Sequence, residues 1–196
     1  MYRPLSNLDK YDIILASGSP RRRELLGMLD IDFTVDTTHS VDEVTPAGLP
    51  VEEIPAYLSA LKGAAYPLDP GSDKLVITAD TVVILDGNVL GKPADAADAL
   101  RMLMYLQGRT QTVVTGVTVR TFDRQTTFSA TSQVEFGPLT EEEVRYYVEK
   151  YNPLDKAGAY GIQEWIGAAC IKGIRGSFYN VMGLPVQRLY TELKGW

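Results

Sequence analysis

Short apolar runs and stretches with helical periodicity follow one another along the chain. The run Ile13–Ala16 is unbroken, which is typical of a strand that is buried on both faces, and Leu75–Ala79, which includes Thr78, predicts another buried strand. In 51–66 and in 95–106, apolar residues recur at every third or fourth position, which predicts two amphipathic helices. Residues 33–37 alternate between apolar and polar side chains and predict a further short strand.

The second half of the chain predicts mostly antiparallel pairing. Asp86-Gly87 separates two apolar runs, which is a strong signal for a tight hairpin. The β-rich segments 110–122 and 126–136 are joined by three polar residues and predict a longer hairpin. Thr140 and Glu143 form a capping-box pattern ahead of a helix, and a last helix is predicted over Val186–Leu193.

The chain has 196 residues, which is enough to bury a substantial core in one domain or in two closely packed lobes. We predict a loose extension over 1–10, followed by a single domain over 11–196. The net charge of −6 argues against broad nucleic-acid binding. Cys170 is the only cysteine, lies in an apolar run and is expected to be a buried structural thiol, which excludes an intramolecular disulfide. The polar first residues and the lack of a long apolar run predict a cytoplasmic protein that does not enter a membrane.

The stretch from Ile13 to Leu26 carries the clearest candidate binding site. Ser17, Gly18 and Ser19 form a turn of small residues, and Pro20 stands where the first residue of a helix is expected. Ser17 or Ser19 could cap this helix, which would also carry Arg21, Arg22 and Arg23. Free amides, the helix dipole and the arginines would favour a phosphate chain at this point. The same pattern also fits an ordinary strand–turn–helix with a solvated basic face.

Acidic and basic candidates for chemistry follow. Asp80 stands at the predicted end of a buried strand, where a carboxylate must be hydrated, paired or bound to a metal. Lys92 is predicted to return near the same strand end. Asp42 and Glu43 are either solvated loop residues or oxygen ligands for a magnesium-like ion. Lys62 lies near the polar edge of a predicted helix, as a surface lysine or within reach of a phosphate.

The segment after residue 151 is rich in turn residues. Asp155 and Lys156 either pair with each other or face the phosphate site, and Gln163 is suited both to reading a base edge and to an ordinary loop. His39 is the only histidine, which excludes a histidine-based zinc site. From the residues alone, these candidates fit a metal-assisted reaction on a phosphate ester better than acyl transfer or redox chemistry.

From about Ile13 to Leu193 the sequence resembles the Maf family of nucleotide pyrophosphatases. The motifs that carry the resemblance are Ser17-Gly-Ser-Pro-Arg-Arg22, Ala79-Asp-Thr81, Gly91-Lys-Pro93, Asp155-Lys-Ala-Gly-Ala-Tyr-Gly-Ile-Gln163 and Asn180-Val-Met-Gly-Leu-Pro185. The resemblance implies an α/β fold with a central mixed β-sheet flanked by helices, and two lobes with a cleft between them. It also implies a homodimer.

The resemblance further implies an enzyme that hydrolyses a nucleoside triphosphate to the monophosphate and pyrophosphate with a divalent metal, Mg²⁺ or Mn²⁺. The form of the 155–163 motif resembles the branch that prefers dTTP and UTP, and modified pyrimidine nucleotides cleared from the pool are a related substrate class. By matched position, Asp80 is the proton acceptor, and Glu43 and Asp80 are the metal neighbours. The residues matched to phosphate binding are Ser17, Arg21, Arg22, Lys62 and Lys92, and those matched to substrate choice are Arg21, Thr81 and Gln163.

One position departs from the family pattern. Many members have a glycine after the glutamine at 163, whereas this chain has Glu164 followed by Trp165. A bulkier acidic residue at this position would reshape the base pocket or change its tolerance for modified pyrimidines. Two other functions stay open, namely a pyrophosphatase for purine or methylated nucleotides, and a nucleotide-binding regulator of septum formation with little turnover.

Overall fold

The structure is a computed structural model that describes residues 3–196 and contains an α/β fold built on a mixed seven-stranded sheet. The strands are β1 (Asp12–Leu15), β2 (Thr34–Val35), β3 (Lys74–Leu85), β4 (Asn88–Leu90), β5 (Thr110–Arg120), β6 (Gln125–Phe136) and β7 (Ile171–Arg175). The helices are α1 (Pro20–Gly27), α2 (Ile54–Ala65), α3 (Ala96–Leu106), α4 (Glu141–Tyr151), α5 (Trp165–Cys170), α6 (Phe178–Met182) and α7 (Val186–Leu193). The predicted fold class and the mixed sheet are confirmed.

The strands lie in the order β2-β1-β3-β5-β6-β7, and β4 pairs with β3 beside this path. β1 runs parallel to β2 and to β3, with Ile13 opposite Leu75. β4 is antiparallel to β3, and β7 is antiparallel to β6. The central strands β3 and β5 are buried along most of their length, whereas the edge strand β2 is exposed. The unbroken apolar run Ile13–Leu15 lies in β1, which is buried there and has a strand on each side.

Both predicted hairpins are present. Between β3 and β4, Asp86 and Gly87 have φ values of 51° and 74°, the left-handed pair that a tight two-residue turn requires. β5 and β6 are neighbours in the sheet, and the Thr121 amide donates to the Arg124 carbonyl at 2.8 Å. Two adjacent strands with so short a connection are antiparallel.

The helix boundaries follow from local chemistry. Ser19 caps α1 by accepting from the Arg22 amide, and Pro20 is the first helical residue. Thr140 and Glu143 complete the predicted capping box of α4, and α7 covers the predicted range. Within residues 3–196, no helix combines the length and the apolar character needed to cross a membrane.

The chain forms two compact units. The first comprises the described residues up to Asp80, with Thr115–Ala130 and Gly183–Trp196, and the second comprises Thr81–Val114 and Thr131–Met182. The division falls within β3, β5 and β6, so each of these strands contributes residues to both units.

Each unit has buried side chains of its own. In the first unit, Ile14, Tyr66 and Val76 form a hydrophobic cluster. In the second, Tyr147 and Leu103 are fully buried, and Cys170 is buried as predicted.

Two predictions are wrong. The first is the loose extension, because residues 3–10 include a short 3₁₀ turn over Ser6–Leu8, with Leu8 only 2% exposed and Leu5 also buried. The Asn7 side chain donates to the Leu193 carbonyl at 2.9 Å, which ties this segment to α7. Residues 1 and 2 lie outside the described residues.

The second wrong prediction is that a strand ends at Asp80. β3 continues through this residue to Leu85, so Asp80 lies in the middle of a twelve-residue strand. The strand continues because Val83–Leu85 pair with β4 and Val82–Leu85 are buried. The Asp80 carboxylate therefore belongs to rigid sheet rather than to a loop.

In the first unit, α2 packs unusually close to β5. A Cβ atom added to Gly116 of β5 would lie 2.2 Å from the Pro55 carbonyl carbon at the start of α2. Further along, a Cβ on Gly63 would lie 3.3 Å from the Thr118 side chain. The Ser59 hydroxyl hydrogen-bonds the Thr118 hydroxyl at 3.0 Å, which adds a polar contact between helix and strand. Small residues therefore fix the distance between α2 and the sheet.

We expect Gly116→Ala to lower the melting temperature because the added methyl group would overlap the backbone of α2. Overpacking of this kind costs about 1–3 kcal/mol, which corresponds to a fall of roughly 2–12 °C for a chain of this size. Thermal unfolding followed by circular dichroism measures the change. Gly173→Ala in β7 is the matched control, since an added Cβ there meets nothing within 4 Å. A Gly116→Ala melting temperature equal to that of the control would contradict this account of the packing.

Candidate functional site

The turn after β1 leads directly into the N-terminus of α1, and its serine hydroxyls bond to backbone amides there. The Ser19 amide donates to the Ser17 hydroxyl at 3.3 Å, and the Ser19 hydroxyl in turn accepts from the Arg22 amide at 3.5 Å. Pro20 lacks an amide hydrogen, so the proline at this position leaves no donor unsatisfied. The turn is fixed by its own hydroxyls, as the sequence predicts. A helix N-terminus of this kind favours a bound anion.

Arg22 is held by the protein rather than by solvent. Its guanidinium donates to the Ala79 carbonyl at 2.8 Å, to the Gly183 carbonyl at 3.0 Å and to the Ser17 hydroxyl at 3.4 Å. Burial lowers the pKa of this guanidinium, and the negative charge of Asp80 acts in the opposite direction. The positive charge of Arg21 lowers the same pKa further. The basic turn is therefore not merely a solvated face.

Asp80, Lys62 and Glu43 come together in the first unit from three separate parts of the chain. The Lys62 ammonium lies 2.6 Å from an Asp80 carboxylate oxygen and 3.0 Å from a Glu43 carboxylate oxygen. The Asp80 side chain is 13% exposed and that of Glu43 is 50% exposed. The lysine thus stands between a buried and an exposed carboxylate. Sequence spacing alone could not predict this grouping.

The environment of Asp80 makes its carboxylate a better base. Burial raises the pKa of Asp80 above its usual value, while the Lys62 ammonium, which also donates a hydrogen bond, lowers it. Arg22 lowers the same pKa and Glu43 raises it. A carboxylate whose pKa is raised binds a proton more readily, which suits proton abstraction near neutral pH.

The loop that carries Glu43 is anchored by residues that the sequence analysis did not single out. The Asp36 carboxylate accepts from the Tyr66 hydroxyl at 2.8 Å and from the Thr38 hydroxyl at 2.6 Å. The bonds from Thr38 and Tyr66 lower the pKa of Asp36 to about 2, while burial is the main cause that raises the pKa of Tyr66 to about 12. Asp36 directly follows β2 and Tyr66 directly follows α2. A polar residue at the end of a strand is the signal that could have found this anchor.

A cavity of about 540 Å³ lies beside the α1 turn. Ser17, Gly18, Ser19 and Phe33 contribute to its lining, whereas Asp80 and Lys62 do not. Ser17 therefore contributes to the cavity lining and also accepts a hydrogen bond from Arg22 through its hydroxyl. The cavity itself holds no carboxylate–lysine pair, so we place the candidate chemistry at Asp80.

The residues that could hold a metal ion are Asp80 and Glu43. No group of three or more histidine, cysteine, aspartate or glutamate side chains with metal-binding geometry occurs within residues 3–196. Two carboxylates that converge on one ammonium nevertheless mark a place where positive charge is stabilised. Mg²⁺ is commonly bound by one or two carboxylates, with substrate phosphates and water as the other ligands. The donor set fits such an ion.

Thr81 and Lys92 belong to the second unit. Thr81 follows Asp80 on β3 and is partly buried, and Lys92 is exposed just after β4. The Gly91 carbonyl accepts from the Gly158 amide at 3.0 Å, so the segment of Lys92 runs beside the 155–163 motif. Gly158 has a φ of 68°, and a Cβ there would lie 2.9 Å from Val83. Only glycine fits at this point of contact.

The 155–163 motif contains a buried lysine. The Lys156 ammonium lies 2.8 Å from an Asp155 carboxylate oxygen and 3.2 Å from a Glu164 carboxylate oxygen, and its side chain is 9% exposed. Of the two alternatives for Asp155 and Lys156, the structure therefore shows the pairing. Gln163 is exposed, and its amide makes no hydrogen bond to the described residues. Both ends of this amide are available to a ligand.

Comparison with solved structures agrees with this fold. The structure of a HAM1 protein from Coxiella burnetii superposes with a TM-score of 0.50 and 15% identity, covering 95% of this chain and all of that one. At this level of identity the likeness concerns the fold alone.

Comparison of sequences identifies the family. The chain is 57% identical to a protein named dTTP/UTP pyrophosphatase from Bacteroides thetaiotaomicron, over 97% of this chain and 98% of that protein. It is 55% identical to a protein of the same name from Phocaeicola vulgatus and 53% identical to one from Porphyromonas gingivalis, with similar coverage. A family model described as Maf-like protein matches residues 12–196. The chain therefore belongs to the Maf family.

Proposed function

We propose that this protein is a nucleoside triphosphate pyrophosphatase that converts dTTP and UTP to the monophosphate and pyrophosphate. The relatives that share 53–57% identity over nearly the whole chain are named dTTP/UTP pyrophosphatase. The observation that carries the proposal is the Asp80 carboxylate, which is largely withdrawn from water and lies 2.6 Å from the Lys62 ammonium. A base beside fixed cations is the arrangement that hydrolysis of a phosphate anhydride needs.

Asp80 accepts a proton from the attacking water in the proposed reaction. The water oxygen bonds to the α-phosphorus while the anhydride bond between the α- and β-phosphates breaks. Pyrophosphate leaves with the electron pair of that bond. Ser17, Arg21, Arg22, Lys62 and Lys92 hold the triphosphate, as their motif positions predict. The cations offset the negative charge that grows on the departing pyrophosphate. General-base catalysis of this kind contributes about 10²–10⁴-fold in rate.

A divalent cation is expected for a pyrophosphatase of this kind, and we propose Mg²⁺, with Mn²⁺ as a substitute. Glu43 and Asp80 would hold it, since both carboxylates already surround one positive charge at Lys62. When bound, the cation would neutralise charge on the triphosphate.

The proposed choice of base rests on Arg21, Thr81 and Gln163. The amide of Gln163 offers both a donor and an acceptor, and a guanidinium offers donors only. A uracil or thymine ring presents two carbonyl oxygens and one N–H along its edge, so this set can satisfy all three groups. Cytosine replaces one carbonyl by an amino group and would leave a donor facing a donor.

We further propose a cytoplasmic location, where nucleoside triphosphate pools turn over, and a homodimer. The homodimer is a prediction from the family. Sedimentation of the purified chain tests it directly.

The first experiment is a panel for pyrophosphate release with Mg²⁺, using dTTP, UTP, CTP, dATP, GTP and a methylated pyrimidine analogue. We expect fast release from dTTP and UTP and at least tenfold slower release from the other common nucleotides, because a mismatched hydrogen bond at the base costs about 1.4 kcal/mol or more. Omission of the metal is expected to abolish release.

Other results would point elsewhere. Preference for dATP or GTP would assign the reaction to purine nucleotides. Binding across the panel without turnover would favour a nucleotide-dependent regulator.

A further inference from the structure

The turn that presents Gln163 is held at both of its ends. The Glu164 amide donates to the Gly161 carbonyl at 3.0 Å, which closes a four-residue turn over 161–164. Within it, Ile162 is 5% exposed and points into the unit, whereas Gln163 is exposed. The turn therefore separates an apolar anchor from a polar side chain directed outward.

One tyrosine hydroxyl joins the two ends of this turn. The Tyr147 hydroxyl accepts from the Gly161 amide at 2.9 Å and donates a short hydrogen bond to the Glu164 carboxylate. Tyr147 belongs to α4 and is fully buried. Burial and the Glu164 carboxylate raise the pKa of this phenol, so it stays protonated and keeps its donor. The turn is thereby tied to a helix rather than to solvent-exposed loop.

The second oxygen of the Glu164 carboxylate meets Lys156. The ammonium and carboxylate are 3.2 Å apart, and the two side chains are 9% and 18% exposed. A buried ion pair adds little net stability, but the loss of one partner leaves the other uncompensated. The ion pair between Lys156 and Glu164 thus favours one arrangement of the turn over others. We call Tyr147, Lys156 and Glu164 the clasp.

Steric limits around the clasp leave little room for another arrangement. A Cβ atom on Gly161 would lie 2.7 Å from the Glu164 carboxylate carbon. A Cβ on Gly167, one turn into α5, would lie 1.8 Å from the Ile162 carbonyl oxygen. The lack of a side chain on Gly161 therefore lets the Glu164 side chain fold back beneath the turn, and the lack of one on Gly167 lets α5 approach the Ile162 carbonyl. The carboxylate is thus directed inward, away from the side chain of Gln163.

We propose that Glu164 is a positioning residue that sets base selectivity by holding Gln163 in place through the clasp. The inference rests on the proposed function, because it concerns how the same enzyme distinguishes thymine and uracil from cytosine. An exposed glutamine on a free turn would adopt several orientations, and each would accept a different base edge. A turn fixed at both ends restricts Gln163 to one hydrogen-bonding pattern.

The test compares Glu164→Ala with the unaltered enzyme on dTTP and dCTP, which share the same sugar and triphosphate. We expect KM for dTTP to rise about tenfold and the ratio of kcat/KM for dTTP over dCTP to fall about tenfold, while kcat for dTTP changes less than threefold. Hydrogen exchange at the Gly161 amide should become faster in the variant, because the tyrosine hydroxyl loses its partner.

Two further variants distinguish positioning from folding. Tyr147→Phe removes both hydroxyl bonds and should reproduce the Glu164→Ala selectivity, and the double variant should change it no further. Glu164→Gln keeps an acceptor for the Tyr147 hydroxyl, so this variant should retain most of the dTTP-over-dCTP selectivity that Glu164→Ala loses. Glu149→Ala is the matched control, since this glutamate is exposed on the same helix as Tyr147.

The possible failures can be told apart. If the unaltered chain releases no pyrophosphate from dTTP or UTP, the proposed function is wrong and the positioning role falls with it. If the unaltered enzyme is active and Glu164→Ala lowers the melting temperature but keeps the dTTP-to-dCTP ratio, the clasp is structural only and this inference alone is overturned.

Discussion

Asp80→Asn is expected to lower kcat for pyrophosphate release from dTTP by about 10²–10⁴-fold. The amide has nearly the same size as the carboxylate but cannot accept a proton from water. Burial and the surrounding β3 strand hold residue 80 in place, so the variant should keep its fold. Lys62 loses one of its two carboxylate partners and retains Glu43. The measurement is a continuous pyrophosphate assay at saturating dTTP and Mg²⁺.

A matched aspartate controls for this result. Asp86→Asn changes an exposed residue in the β3–β4 turn, where the carboxylate pairs with Arg109 and Tyr105. Asparagine tolerates the left-handed backbone found at this position, and an exposed pair adds little stability. We expect its kcat to stay within twofold of the unaltered enzyme. Normal turnover by a folded Asp80→Asn variant would rule out Asp80 as the base.

Structural features that are determined by a few adjacent residues could be predicted from the sequence. Ser19 and Pro20 determine where α1 begins, and Thr140 with Glu143 does the same for α4. Asp86-Gly87 specifies its hairpin because left-handed backbone favours these two residue types. In each case the hydrogen bonds or backbone angles involve residues within four positions, so no tertiary contact is needed to decide the outcome.

Elements that form only because another part of the chain pairs or packs with them could not be predicted in this way. β7 contains Gly173 and shows no clear alternation, and it is a strand because β6 pairs with it. α5 spans only six residues, which is too short for helical periodicity to be recognised in the sequence. The same holds for β3, whose continuation through Asp80 depends on pairing with β4. A polar residue inside an apolar run looks like an end when only one strand is considered.

The candidate site shows the same limit. From the residues alone, Asp80, Lys62 and Glu43 were separate candidates, and only the family resemblance placed them in one site. The distances of 2.6 and 3.0 Å that join them depend on how α2 packs against the sheet. Glu164 was expected to reshape a base pocket or to change its tolerance for modified pyrimidines, and the sequence did not indicate that its carboxylate turns inward to Tyr147 and Lys156. Residue type indicated which chemistry was available, and tertiary structure decided which groups meet.

Arg22→Met is expected to reduce both stability and substrate binding. The Ala79 and Gly183 carbonyls would lose a charged donor, at about 1.5–3 kcal/mol each, so the free energy of unfolding should fall by about 3 kcal/mol or more. For a chain of this size, the melting temperature should then fall by roughly 6–12 °C. KM for dTTP should rise at least tenfold, because one cation of the triphosphate site is lost. Thermal unfolding and steady-state kinetics measure the two effects separately.

Two further variants show which property of Arg22 matters. Arg22→Lys keeps the charge, but a single ammonium cannot reproduce the planar fork that reaches two carbonyls, so stability should stay low while KM recovers in part. Arg23→Met alters the exposed neighbour on α1 and should leave stability within about 0.5 kcal/mol. A fall in melting temperature without a change in KM would reduce Arg22 to a structural tie between α1, β3 and the segment before α7. A change in KM without loss of stability would mean that the carbonyl bonds are replaced by water, and that the guanidinium acts on the substrate alone.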